Sequence, residues 1–281
     1  MDEQALAFPE ISPDLRARFA VGPMALRPFG TRAEDLNLEL DRVATDRVAA
    51  DRVATDRGDT AALVTTLLRA CTTSAGGSLE EELFWQLPVG TRLQAMTLLS
   101  LSAEGSPPSL EATCPAPGCC AAIELEVPFD ALLERAEAAT GRVQFAADSG
   151  EIELRRPSGA DLRRWAETSP SELEMVRDLL VRGTVDELSE RELARIEEAI
   201  SRHDPLVDCA VNGVCPDCGK GFEIPLDLER LALDALSRVR RRLLRTVDRL
   251  ACAYGWSESE ILALPAWRRD CYLHLIEQRE D

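Results

Sequence analysis

Two stretches decide how this chain is read: Thr113–Leu133, TCPAPGCCAAIELEVPFDALL, and Val214–Leu233, VCPDCGKGFEIPLDLERLAL. Each opens with Cys-Pro, adds a second cysteine, and runs through a short linker into alternating apolar and polar residues. Each then passes into acid and leucine. In the first copy Ile123, Leu125 and Val127 alternate with Glu124 and Glu126, the period of a half-buried strand. Setting Ile123 on Phe222 aligns Cys119, rather than Cys120, with Cys218, and pairs the cysteines as Cys114/Cys119 and Cys215/Cys218. A C-x2-C turn aims two sulfurs into one concavity, and two such turns supply four thiolates for a tetrahedral metal. Zn2+ is the expected ion, because it suits thiolates and a small hairpin with little core gains much from the bond. Cys120 reads as a spare thiol or as the ligand in place of Cys119. A redox C-x-x-C, or a pair of knuckles that no longer holds metal, stands beside that reading.

Outward from these copies the chain is mainly helical, so the expected class is α+β: mostly helix, with two small cysteine-knuckle hairpins. Residues 1–58 read as a flexible arm, proline-interrupted at first and then built on DRVATDRVAADRVATDRGD. Its five-residue period matches neither helix nor strand, so it contributes little to a core. Residues 59–107 read as helical, with Leu63, Leu67 and Leu68 at helical spacing and Ser78 with Glu81 as a capping box. The first knuckle region covers 108–156 and includes a further hairpin, RVQF with EIELR, turning at Asp148, Ser149 and Gly150. Residues 157–205 are helical again, with Ser169, Pro170 and Glu172 as N-cap, N1 and N3, and with Ser189 and Glu192 as another box. The second knuckle hairpin occupies 206–226. Residues 227–281 hold a long helix from about Asp227 to Tyr254, closed by Gly255 at C′. A short helix capped by Ser257 and Glu260 follows, and then a last one opened by Pro265.

Composition narrows the function. The net charge of −18 repels duplex nucleic acid, which demands a basic surface. No stretch approaches the roughly 20 apolar residues of a bilayer span, and an acidic N-terminus is unlike a signal peptide. The expected compartment is the cytoplasm, where nine cysteines are reduced thiols or metal ligands rather than disulfides. Cys71, Cys209, Cys252 and Cys271 lie in apolar-periodic segments and read as small core residues. Neither His203 nor His274 sits in a catalytic pattern, and no phosphate or dinucleotide loop is present, so no enzyme and no small-molecule substrate are expected. The run RVRRRLLR reads as a solvated face or one paired with this chain's own acids.

The aromatic supply is sparse at 5%, yet Tyr254, Trp256, Trp267 and Tyr272 gather in one short stretch beside Arg268 and Arg269. Trp, Tyr and Arg dominate interface hot spots, so these six residues read as a partner-binding end. The same aromatics could instead dock the last helices onto the long one. Trp267 and Arg268, early in the final helix, are the stronger contact candidates.

LVDCAVNGVCPDCGKGFEIPLDLERLAL, followed by RTVDRLACAYGWSESEILALPAWRRDCYLHLI, resembles the T4-type baseplate hub and hub-assembly-chaperone family of contractile tails and phage-like injection systems. ELFWQLPVGTRLQAMTLLSL and RRPSGADLRRW resemble its upstream segments, so the likeness covers roughly residues 60 to 281. The DRVAT arm departs from the pattern. The resemblance implies a non-catalytic chaperone or structural subunit whose partners are hub or other tail proteins. A zinc-ribbon regulatory or interaction module unrelated to tails is the alternative.

Overall fold

The computed structural model describes residues 5–40, 53–104, 109–137, 141–147, 150–185 and 187–280. Most of the DRVAT repeat, including the expected arm's residues 41–52, lies outside them, as do the turn residues Asp148 and Ser149.

The N-terminal segment departs from the expected arm. Strand β1 (Leu6–Ala7), helix α1 (Pro13–Arg18), strand β2 (Met24–Leu26) and helix α2 (Ala33–Leu36) precede the helix α3 (Val53–Cys71) and strand β3 (Thr72–Ser74). The three strands form an antiparallel sheet in the order β1-β2-β3. Phe8, Ile11, Leu26, Phe29, Leu36 and Leu40 are buried in the main core. The physical reason lies in remote partners. Buried Asp35 pairs with Arg27, whose guanidinium also donates to Ala70 O at 2.8 Å, tying this segment to the end of α3. Residues 1–58 are therefore not a detachable arm in their described part.

Helix α4 (Glu81–Gln86) and helix α5 (Val89–Glu104) complete that core with Phe84, Leu87, Met96 and Leu99. Ser78 does not cap α4: the N-cap is Glu80, with no side-chain cap bond. A fully buried Arg92 knots α3, α4 and α5 together, donating to Thr65 Oγ1, Phe84 O and Ala61 O at 2.9, 2.7 and 2.7 Å. Gly159 must lack a side chain, since a Cβ there would lie 2.4 Å from Arg92 Nη1.

The knuckle hairpin of strands β4 (Ser109–Thr113) and β5 (Ala122–Glu126) leads into helix α6 (Phe129–Glu137). Strands β6 (Val143–Ala147) and β7 (Gly150–Leu154) pair antiparallel as expected, and a third strand, β8 (Leu180–Arg182), joins them within a region read as helical. Helix α7 (Gly159–Thr168) lies mainly against α3, while α8 (Glu172–Leu179) and α9 (Glu190–His203) pack on this sheet. Val143, Phe145, Ile152, Leu154, Val176, Leu179 and Ile196 form its core. The box Ser189–Glu192 caps α9. For α8 the cap is Ser171 with Glu174, two residues beyond the expected Ser169, which instead takes the left-handed C-cap of α7.

Strands β9 (Cys209–Val214) and β10 (Gly221–Leu226) form the second knuckle hairpin and lead into helix α10 (Leu228–Tyr254). Asp227 caps α10, and Gly255, at φ 69°, ends it. Its apolar face, including Leu233, Leu236, Val239 and Leu243, packs into the main core against α5. Arg238 pairs with Glu104 and Arg242 donates to Ala103 O, so part of the basic run meets the chain's own groups. Ser257 and Glu260 cap helix α11 (Glu258–Leu262), and helix α12 (Ala266–Glu280) follows Pro265. The fold is α+β with small antiparallel strand pairs, as the sequence implies. No helix among the described residues is long and apolar enough to cross a membrane.

Candidate metal centre

The two hairpins repeat one construction. Cys114 N donates to Ala121 O at 2.8 Å and Cys215 N to Lys220 O at 2.9 Å, so each knuckle closes on its first cysteine. After the second cysteine the backbone turns left-handed in both: Cys120 at φ 52° and Gly219 at φ 68°. Gly219 makes this turn without a Cβ penalty, whereas Cys120 does not. That matching turn supports the alignment of Cys119 with Cys218.

Nearly a hundred residues separate the copies, and their feet bring them together. Val127 and Phe129 at the end of the first hairpin, with Leu226 and Leu228 at the equivalent end of the second, are buried in one shared cluster. Helices α6 and α10 start from that cluster, so both hairpins rise from a common base and their tips meet.

At the tips the sulfurs of Cys114, Cys119, Cys215 and Cys218 all lie within 4.8 Å of one another. Cys114 Sγ is 3.9 Å from Cys218 Sγ, and Cys119 Sγ is 3.8 Å from Cys215 Sγ, both contacts running between hairpins. The edge of a tetrahedron with metal–sulfur bonds near 2.3 Å is about 3.8 Å, so the spacing suits a four-thiolate site. Buried Ile123 and Phe222, at equivalent positions, wall the cluster with Ala116, Ala121, Leu125 and Ile224. Gly213 admits the Phe222 ring, which would lie 2.6 Å from a Cβ at that position. Cys114 and Cys215 are buried, Cys119 is half-buried and Cys218 is exposed.

The electrostatics are uneven. Backbone N–H groups of Cys218 and Asp217 stabilise the Cys215 thiolate and bring its pKa down to about 7, against the effect of burial. The Ala121 N–H pulls Cys119 down, but burial and the three neighbouring sulfurs outweigh it and push its pKa up to about 12. At Cys114 the Ala116 N–H is likewise outweighed, by burial and the Cys215 and Cys218 sulfurs, and the pKa sits above the ordinary thiol value. Four thiolates at this spacing repel one another unless a cation sits among them.

Cys120 is exposed and outside the cluster, which resolves the choice between it and Cys119. Cys71 and Cys209 are buried, as expected, but Cys252 and Cys271 are exposed: their helices carry the apolar stripe on another face. His203 Nδ1 lies 3.2 Å from Ala199 O at the end of α9, in the capping role expected of it.

The six C-terminal candidates divide. Tyr254 and Trp256 stack at 4.7 Å, and Tyr272 meets both edge-on at 5.5 and 4.9 Å. Arg269 is only 6% exposed and donates to Leu262 O. These four hold α11 and α12 against α10. Arg268 donates to the Tyr272 hydroxyl at 3.2 Å from the surface. Trp267, at 61%, is open to solvent, on the same outer face of α12 as exposed Cys271 and Leu275.

A cleft of about 700 Å³, which no spacing in the sequence announces, lies between residues 6–13 and α5, and its lining includes Arg156 and Asp204. Asp204, nearly fully buried, accepts from Gly90 N at 3.2 Å and lies 3.6 Å from Arg156. Its one sequence signal, Asp before Pro205, reads merely as a helix stop. Comparison of the chain with family models, with curated proteins and with solved structures finds no match.

Proposed function

We propose that this chain is a non-enzymatic assembly or structural protein of a contractile-tail baseplate hub, stapled by one Zn2+ held between its two knuckle hairpins. The four-sulfur cluster carries the metal part of this reading: thiolate donors in a near-tetrahedral set favour zinc over hard, oxygen-seeking cations. The ion's role is structural, because all four positions are taken by protein sulfur and none is left open for substrate. Elemental analysis of protein purified without chelator is expected to return one zinc per chain. Substoichiometric zinc, or another metal in its place, overturns that part.

The tail assignment rests on the resemblance of the segment from Leu206 to Ile276. Trp267 supports a contact role there, since a tryptophan left open to solvent on a packed helix is the type of residue that anchors an interface. Co-purification with hub and other tail proteins tests it. Trp267→Ala is expected to lower partner recovery at least tenfold while leaving the melting temperature within a degree. Undiminished recovery places the contact surface elsewhere, and no recovery by the wild-type chain removes the tail reading.

A further inference from the structure

We infer that the four-cysteine cluster is also a two-state covalent clamp: a hydroperoxide converts it to two disulfides, Cys114–Cys218 and Cys119–Cys215, both joining the two hairpins. This inference concerns the site read above as a zinc centre, but its pairing follows from the sulfur positions alone. The 3.9 and 3.8 Å contacts each link a cysteine of one hairpin to a cysteine of the other. Cross-hairpin pairing needs only that two sulfurs already in contact close to bonding distance, while the shared base of Val127, Phe129, Leu226 and Leu228 keeps the hairpins in place.

Exposure sets the order of events. Cys218 is the exposed member of the cluster, and its sulfur is where a peroxide arrives first. The Cys218 thiolate attacks one peroxide oxygen, the O–O bond breaks, and a sulfenic acid and an alcohol, or water from hydrogen peroxide, are left. The Cys114 sulfur then attacks the Cys218 sulfur, the S–O bond breaks, and water leaves as the disulfide forms. Two electrons pass from the two sulfurs to the O–O bond. A second peroxide does the same for Cys119 and Cys215. Starting from four metal-bound thiolates, two hydrogen peroxide molecules and four protons yield two disulfides, four waters and the free metal ion. The hairpins thus remain joined after the metal has left, which a simple C-x-x-C redox pair would not achieve.

The test uses the full wild-type chain. After its zinc content is measured, it is titrated with hydrogen peroxide, free thiols are blocked, and the disulfide-linked peptides are mapped by mass spectrometry. The expected result is 114–218 and 119–215 linkages, with two peroxides consumed per cluster and one zinc released for every zinc initially bound. The Cys114→Ser, Cys218→Ser double variant is expected to form the 119–215 bridge alone. A Cys215–Cys218 or Cys114–Cys119 bridge, or oxidation to sulfinic acid without bridges, overturns the clamp even if zinc was present. Cross-hairpin bridges in protein that never held zinc uphold the clamp and overturn the zinc reading instead.

Discussion

Asp161 accepts from several donors at once: both Arg155 amino groups, Arg164 at 2.9 Å, the Ser158 N–H at 2.9 Å and the Ser158 hydroxyl at 2.8 Å. Burial alone would raise its pKa, but the Arg155 and Ser158 donors outweigh it and hold the carboxyl below the usual aspartate range. A depressed folded pKa contributes stability that is present above the unfolded value and lost as pH falls through the folded one. Asp161→Asn is therefore expected to cost on the order of 2 kcal/mol at pH 7. Chemical denaturation of both proteins from pH 7 down to pH 3 should show that gap narrowing below the ordinary carboxylate range; a constant gap would mean the loss is steric. Cys120 offers the opposite case, a side chain whose removal helps. It holds φ 52° where its counterpart is Gly219, so Cys120→Gly is expected to gain about 0.5–1 kcal/mol without altering metal content. A fall in bound zinc in that variant would show Cys120 to be a ligand.

The elements differ in how local their instructions are. The capping boxes Ser189–Glu192 and Ser257–Glu260 form as read, each serine side chain accepting from the glutamate N–H three residues on, whereas Ser78–Glu81, just as local, leaves α4 uncapped by a side chain. The start of α8 slips from Ser169 to Ser171: both serines have a glutamate three residues on, Glu172 and Glu174, but Ser169 is taken up as the left-handed C-cap of α7. The N-terminal segment is the larger departure. Its strands of two and three residues are too short for any period to emerge, and the groups that fix it, Ala70 O and the α3 core face, lie some forty residues away. Leu26→Ala is expected to destabilise the protein by about 2–5 kcal/mol, since Leu26 is completely buried in the main core. Urea denaturation decides it, and a loss under about 1 kcal/mol would return the segment to a peripheral role.

Across the whole molecule, the cysteine cluster is separate from the larger hydrophobic cores around α10, at the feet of the two hairpins and around the β6–β7–β8 sheet. If the proposed zinc is bound, a strong chelator under reducing conditions is expected to unclasp the hairpins and lower the melting temperature by about 10 °C, while far-UV circular dichroism keeps its helical signal. An unchanged melting temperature would mean that no metal stabilises the native chain. By itself the sequence determined the α+β class, the two cysteine knuckles and the extent of the long helix, leaving Cys119 against Cys120 to the fold. Each of these is written in short-range spacing: a knuckle, a two-residue alternation, an apolar stripe ended by Gly255. Tertiary structure alone decided that Arg92 would be buried among carbonyls, that Tyr254, Trp256 and Tyr272 would pack ring against ring, and that Trp267 would remain outside. Aromatic and arginine side chains serve a core and a surface equally well, so which they serve depends on neighbours that only the folded chain supplies.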